Sequence, residues 1–287
     1  MKLESVIRNP VSGLQRSASA DVFAARSSVS RPKVSRLLLS LFTWYSRRYI
    51  RRHFHSLRVS RTGLPTWAEG QPLVIYSNHA SWWDALVCFV LQDEFFRDRK
   101  LFAPIDAAML KRYRFFGRLG FFGVEQHTRR GAMQFLQNAE PILQSPQNLL
   151  AITPQGRFAD VRERPIRFST GLGHLATRAK RVCFTPVAIE YAFWEERLPE
   201  ILIRFGETMR VIGHEHAACD AKYWTTMFEQ KLTDAQDALA AEVQRRCPDE
   251  FEVLLRGGAG QGGVYDAWHW FKAKMRGKTF KKEHGNK

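Results

Sequence analysis

His79 stands five residues before Asp84 in the segment "NHASWWD", a spacing that is suited to acid–base chemistry. The apolar run "PLVIYS" before this segment predicts a buried strand, and "SWWDALVCFVLQ" predicts a helix. A histidine at the end of a strand, with a carboxylate at the start of the next helix, is arranged as a general base whose tautomer an acid fixes. The chain has no G-x-S-x-G nucleophile motif. The hydroxyl group that such a base activates would therefore belong to a substrate.

The same segment also has a purely structural interpretation. Ser81 is a suitable N-cap for a helix that begins at Trp82, and Asp84 would complete a capping pattern of serine followed by an acid three residues later. His79 would then be an ordinary loop histidine. The local sequence leaves both interpretations open.

The chain of 287 residues carries 44 Lys and Arg against 28 Asp and Glu, which gives a formal net charge of +16. This excess favours anionic partners such as phosphorylated substrates or lipid headgroups. We do not expect nucleic acid to be the partner, because no recognisable module interleaves basic and aromatic residues. The four cysteines are dispersed, which indicates a reducing compartment. No apolar run of about twenty residues predicts a membrane span.

The candidate cofactor motifs are weak. His214, His216 and Cys219 in "HEHAACD" lack a fourth metal ligand, so this segment is interpreted as a polar loop. The G-x-G-x-x-G pattern that begins at Gly258 is not followed by the strand and acid that dinucleotide binding requires. We therefore expect no metal and no redox cofactor.

The composition divides the chain into four segments. Residues 1–32 are rich in Ser and Arg, which is typical of a disordered tail or, alternatively, of an organelle transit peptide. Residues 33–60 predict a basic amphipathic helix, either lying in a membrane interface or packed on the domain. Residues 61–256 alternate strands with helices, which predicts an α/β sheet wrapped by helices. Residues 257–287 form a Gly-rich loop followed by a basic helix or tail. The apolar face of the first helix comprises Leu37, Leu38, Leu41, Trp44 and Tyr45.

The pattern N-H-x-x-x-x-D resembles the signature of the PlsC-like glycerolipid acyltransferases. Three further blocks follow in the order of that family: "GFFGVEQHTRRGA", "ITPQGRFAD" and "FTPVAIEY". The resemblance covers roughly residues 70–210 and implies a single mixed-sheet α/β domain. It also implies that His79 deprotonates an acceptor hydroxyl, which attacks an acyl thioester, and that Asp84 pairs with His79.

The resemblance extends to candidate substrate-binding residues, although two of the blocks depart from the family pattern. Gln126 follows Glu125 where the family has an arginine, and Gln155 stands where the family has a glutamate. Both changes weaken the case for a glycerol-phosphate headgroup. The candidate substrate-binding residues are Asn78, Arg129, Arg130, Gln155, Gly156, Arg157 and Pro186.

The function predicted from the sequence is O-acyl transfer from acyl-CoA or an acyl carrier protein to a lipid hydroxyl. The first candidate acceptor is a lysophospholipid such as 1-acylglycerol-3-phosphate, and the second is a glycolipid or another lipid alcohol without phosphate. No cofactor is needed, because a thioester is already activated. The expected location is the cytoplasmic face of a membrane, with peripheral or monotopic attachment. The competing hypothesis is a basic membrane-binding protein without catalytic activity.

Overall fold

A computed structural model describes residues 34–66, 70–213, 215–216 and 218–259. These residues belong to one compact unit. The predicted tail over residues 1–32 lies outside the described residues, as does the predicted C-terminal segment from residue 260 onward.

The described strands form one nine-stranded mixed sheet. The strand order is β4-β3-β5-β2-β6-β7-β1-β9, and β8 pairs with β6 beside this path. Five pairs are parallel: β4–β3, β3–β5, β5–β2, β2–β6 and β1–β7. The pairs β6–β7, β6–β8 and β1–β9 are antiparallel. The predicted mixed-sheet α/β fold is confirmed. In chain order the strands are β1 (Ser56–Ser60), β2 (Leu73–Ser77), β3 (Lys100–Asp106), β4 (Phe121–Val124), β5 (Asn148–Ile152), β6 (Arg181–Ala192), β7 (Glu200–Phe205), β8 (Met209–Ile212) and β9 (Phe251–Arg256).

Helices cover both faces of this sheet. Because side chains alternate along a strand, Leu73 and Ile75 of β2 pack towards α1 and α2, whereas Val74 and Tyr76 pack towards α4, α5 and α6. The α-helices are α1 (Arg36–His53), α2 (Asp84–Phe95), α3 (Ala107–Arg112), α4 (Arg129–Ile142), α5 (Gly171–Thr177) and α6 (Ala221–Arg245), and two 3₁₀ helices span Arg114–Leu119 and Pro248–Glu250.

The predicted helix over residues 33–60 is shorter in the structure, and its last part is a strand. Helix α1 ends at His53, and Ser56–Ser60 forms β1 between β7 and β9. All five residues of β1 are buried. The predicted boundary at residue 61 is therefore wrong, because it would cut an interior strand away from the sheet. Sequence reasoning missed β1 because five residues directly after a helix carry too little periodicity to be told apart from it.

Helix α1 packs on the domain through a different face from the one that the apolar pattern indicated. Thr43, Ser46 and Ile50 are buried. Arg47 forms an ion pair with Asp93 of α2, in which Arg47 Nη2 lies 2.6 Å from Asp93 Oδ2. Four members of the predicted apolar face stay exposed: Leu37, Leu41, Trp44 and Tyr45. Among the described residues, no helix is long and apolar enough to cross a membrane.

The interior position of β1 generates the first prediction. Leu57 is completely buried, so Leu57→Ala should lower the free energy of unfolding by about 2–5 kcal/mol. Leu37→Ala removes the same atoms from a residue that is 71% exposed and should cost less than about 0.5 kcal/mol. Denaturant titration of both variants measures the difference. Equal losses in the two variants would contradict the assignment of Ser56–Ser60 to the sheet.

Candidate active site

The site lies at the edge of the sheet where the parallel strands β2 and β5 end. These strands are neighbours, so the loops that leave their carboxyl ends meet, as in other open α/β sheets. The His79 backbone N–H donates to Gln155 Oε1 at 3.1 Å. In return, the backbone N–H of Ala159 donates to the His79 carbonyl at 2.9 Å. The loop after β5 therefore holds the backbone of His79 from both sides.

His79 and Asp84 are in direct contact. His79 Nδ1 lies 2.8 Å from Asp84 Oδ2, and the Asp84 side chain is 4% exposed against 25% for that of His79. Helix α2 begins at Asp84 itself, so the predicted helix start at Trp82 is wrong. One bond of the predicted capping pattern is nevertheless present, because the Ser81 backbone N–H donates to Asp84 Oδ2 at 3.0 Å. The carboxylate thus fixes the turn and orients the imidazole at the same time.

Tyr191, near the end of β6, is a site residue that sequence reasoning missed. Its hydroxyl donates to Asp84 Oδ1 at 2.6 Å. Burial raises the pKa of Tyr191 well above its ordinary value, and the charge of Asp84 and the hydrogen bond to it raise it further. The phenol therefore remains protonated and acts as a donor. The only signal in the sequence was a tyrosine, whose side chain carries a hydroxyl group, near the end of a predicted strand. That strand is β6, which lies beside β2 in the sheet.

These contacts determine what His79 can do. The Asp84 carboxylate has donors on both oxygens and can itself only accept, so the hydrogen of the imidazole lies on Nδ1. Nε2 then keeps a free lone pair, and the side chain is one-quarter exposed. A neutral imidazole oriented in this way is a general base for a hydroxyl group that approaches from outside.

In this structure the Asn78 side chain bonds to the backbone of β6, and its role as a substrate contact stays a prediction. Its Nδ2 donates to the Ile189 carbonyl at 2.9 Å, and its Oδ1 accepts from the Ile189 N–H at 2.9 Å. The ladder between β2 and β6 ends at Ser77 and Val187, so the Asn78 amide extends it by side-chain bonds. Asn78 is 2% exposed and fixes the position of its neighbour His79.

The turn after β5 places two candidate residues close to His79. Gly156 has φ of +66°, a left-handed conformation that favours glycine, and its N–H donates to the Thr153 carbonyl at 3.1 Å. Gln155, in the same turn, uses its side-chain oxygen to position the His79 backbone. The exposed Phe158 ring follows, with its centroid 4.3 Å from that of the His79 ring. This turn forms one wall of the site.

The predicted arginines occupy two separate places. Arg157 lies beside Phe158, and its guanidinium is ion-paired with Glu163 on the surface. Arg129 and Arg130 begin α4, whose N-cap residue is Thr128. They follow β4, which is three strands from β2 in the sheet, or about 14 Å at the usual strand spacing. Of these three residues, only Arg157 belongs to the turn that contacts His79.

Pro186 is buried within β6, and its role as a substrate contact stays a prediction. On one side of β6, the pairing with β8 reaches Phe184 and the pairing with β7 begins at Val187. Pro186 falls in the gap between these two partners, where its missing N–H removes no bond from either ladder.

Comparisons with known proteins agree with the chemistry of this site. Residues 52–190 match the model of the family described as Acyltransferase. No curated protein matches the chain. Among solved structures, the chain is similar to the crystal structure of the 1-acyl-sn-glycerophosphate acyltransferase PlsC from Thermotoga maritima. The two are 14% identical, the similarity covers 71% of this chain and 80% of that chain, and the TM-score is 0.48.

Residues 52–190, slightly less than half of the chain, therefore match an acyltransferase domain. The protein is an O-acyltransferase, and the resemblance found in the four sequence blocks is confirmed at the level of the family. The matched region begins before residue 61 and includes β1, as the sheet requires.

The contact between His79 and Asp84 generates the second prediction. If His79 is the base, His79→Ala should lower turnover by at least about 100-fold, and Asp84→Asn should also lower it, because the amide supports imidazolium poorly. His79→Ala should keep a thermal unfolding transition close to that of the wild-type protein, whereas Asp84→Asn should lower it, because the amide nitrogen cannot accept the hydrogen bonds that a carboxylate oxygen accepts. Steady-state kinetics measures the effect. A near-normal rate in Asp84→Asn with reduced stability would mean that Asp84 only shapes the turn.

Proposed function

We propose that the protein transfers an acyl chain from an acyl thioester to the hydroxyl group of a lipid, with His79 as the general base. The observation that supports this most strongly is the hydrogen-bonded chain of Tyr191, Asp84 and His79, which ends at a partly exposed imidazole. The family match provides the class of reaction. The donor is acyl-CoA or an acyl carrier protein.

The proposed reaction has two proton transfers and needs no nucleophile from the protein. His79 Nε2 takes the proton of the acceptor hydroxyl group while the oxygen of that group forms a bond to the carbonyl carbon of the thioester. The resulting tetrahedral intermediate collapses, and the carbon–sulfur bond breaks. The leaving thiolate takes the proton from the imidazolium, which restores neutral His79 and releases the ester and the free thiol. Asp84 stabilises the imidazolium between the two steps.

The first candidate acceptor remains a lysophospholipid, and Arg157 is the cation best placed to bind its phosphate. Its pair with Glu163 is a surface ion pair, which contributes at most about 1 kcal/mol. A phosphate group can therefore displace Glu163 and form a bidentate contact with the guanidinium. The second candidate, a lipid alcohol without phosphate, would contact the Phe158 ring instead and leave the ion pair intact.

We also propose that the exposed face of α1 docks on the cytoplasmic face of a membrane. Trp44 is 62% exposed with the Arg48 guanidinium 6.0 Å from its ring centroid, and basic residues continue to the end of the helix. Tyr49 of this helix contacts Trp82, which lies in the same loop as His79. A lipid acceptor in the membrane would thus meet the site close to the membrane surface.

The competing hypothesis of a binding protein without catalytic activity explains only the basic charge. An unpaired buried charge is costly, so a carboxylate is buried only where other groups donate hydrogen bonds to it. The hypothesis of a binding protein gives no reason why one of these groups should be an imidazole. The buried Asp84 with its three donors is therefore the feature that favours catalysis over binding alone.

The third prediction tests both the transfer and the acceptor. Purified protein with acyl-CoA should release free thiol and form a new ester only when a lipid acceptor is present. Arg157→Ala should lose at least about tenfold in kcat/KM on lysophosphatidate and little on a neutral monoacylglycerol, because a hydrogen bond to a charged group is lost only in the first case. Equal losses on both acceptors would mean that Arg157 shapes the turn or binds the donor. Absence of thiol release with either acceptor, and with acyl carrier protein as donor, would favour the binding protein.

The fourth prediction concerns the membrane. Replacing Leu41 and Trp44 together with Ala should weaken binding to anionic liposomes by at least about tenfold, because two large apolar side chains no longer enter the interface. Leu64→Ala is the matched control, since Leu64 is also exposed but lies outside α1. A liposome flotation assay at moderate salt compares the variants. Unchanged binding by the double variant would contradict the docking role of α1.

A further inference from the structure

Tyr191 lies where three elements meet behind the site. Its ring packs between Phe54, just after α1, and Trp83, just before α2, with centroid distances of 5.9 and 5.7 Å. The backbone of Tyr191 is held in β6, where it pairs with Ile201 of β7. The hydroxyl is thereby directed at Asp84 Oδ1, on the opposite side of the carboxylate from His79.

We infer that Tyr191 is a positioning residue that controls how strongly His79 holds a proton, by sharing the negative charge of Asp84. This inference rests on the proposed function of His79 as the base. The 2.6 Å bond from the phenol draws charge towards Oδ1 and so weakens the hold of Oδ2 on the imidazolium. The bond also prevents the carboxylate from turning away from His79.

Two ionisable groups other than His79 lie close to Asp84, and both keep their protons. Besides His79, the ionisable groups that the described residues place against Asp84 are Tyr191 and Cys88. Burial, with a smaller contribution from Asp84, raises the pKa of Cys88 to about 12. Burial also raises the pKa of Tyr191, so neither Cys88 nor Tyr191 loses its proton near neutral pH. A change in the pH dependence of the rate therefore reports on the pair of His79 and Asp84.

The experiment compares kcat/KM as a function of pH in the wild-type protein and in Tyr191→Phe. Phenylalanine keeps the packing against Phe54 and Trp83 and removes only the hydroxyl. Without this donor Asp84 holds the imidazolium more tightly, so the midpoint of the acidic limb should move to higher pH by roughly half a unit or more. A packing role alone predicts no change in this midpoint.

Tyr76→Phe is the matched control. Tyr76 lies in β2 on the opposite face of the sheet, and its buried hydroxyl has no hydrogen-bond partner among the described residues. Loss of this hydroxyl group should leave the pH dependence of kcat/KM unchanged. A Tyr191→Phe profile with an unmoved midpoint, or one moved to lower pH, would overturn the inference. If the midpoint does not move to higher pH but His79→Ala is inactive, the inference about Tyr191 fails and the proposed function stands. If His79→Ala is fully active, the proposed function itself fails.

Discussion

The buried carboxylate of Asp84 is the group on which the site depends. A carboxylate that is 4% exposed is stable only when donors replace the water it has lost, and three donors converge on it. One donor belongs to the turn, one to β6, and the third is the imidazole of His79. One carboxylate therefore serves both the turn and the imidazole, because the contacts that stabilise the turn also fix the tautomer of His79.

The fold supplies these donors by ending several strands at one edge. The Asn78 amide joins the end of β2 to β6, which brings Tyr191 to the same carboxylate as His79. The turn after β5 then secures the His79 backbone through Gln155. Three segments that are far apart in the sequence thus determine the orientation of one imidazole, and each lies on a strand or leaves the end of one. The sheet therefore positions the imidazole of His79, and the side chain of Phe158 beside it is exposed.

Much of this organisation was predictable from the sequence. The alternation of apolar strands with amphipathic helices predicted the α/β sheet, and the spacing of His79 and Asp84 predicted their contact. The strand β1 was not predictable, because its position between β7 and β9 is decided by pairing with segments more than 140 residues away. The roles of Asn78 and Tyr191 depend on the same long-range pairing. Motif order placed Pro186 among the substrate contacts, but only the sheet register shows that it fills a gap between two partner strands.

The central claim is that Asp84 holds the hydrogen of His79 on Nδ1 and leaves Nε2 free to accept a proton. Nitrogen-15 NMR of protein labelled at histidine tests this most directly, with His79→Ala used to assign the signals. The account predicts an Nδ1–H proton strongly shifted downfield by its bond to Asp84, an unprotonated Nε2, and loss of this pattern in Asp84→Asn. A spectrum in which neutral His79 carries its hydrogen on Nε2 would contradict the account, because the imidazole would then have no lone pair directed towards a substrate.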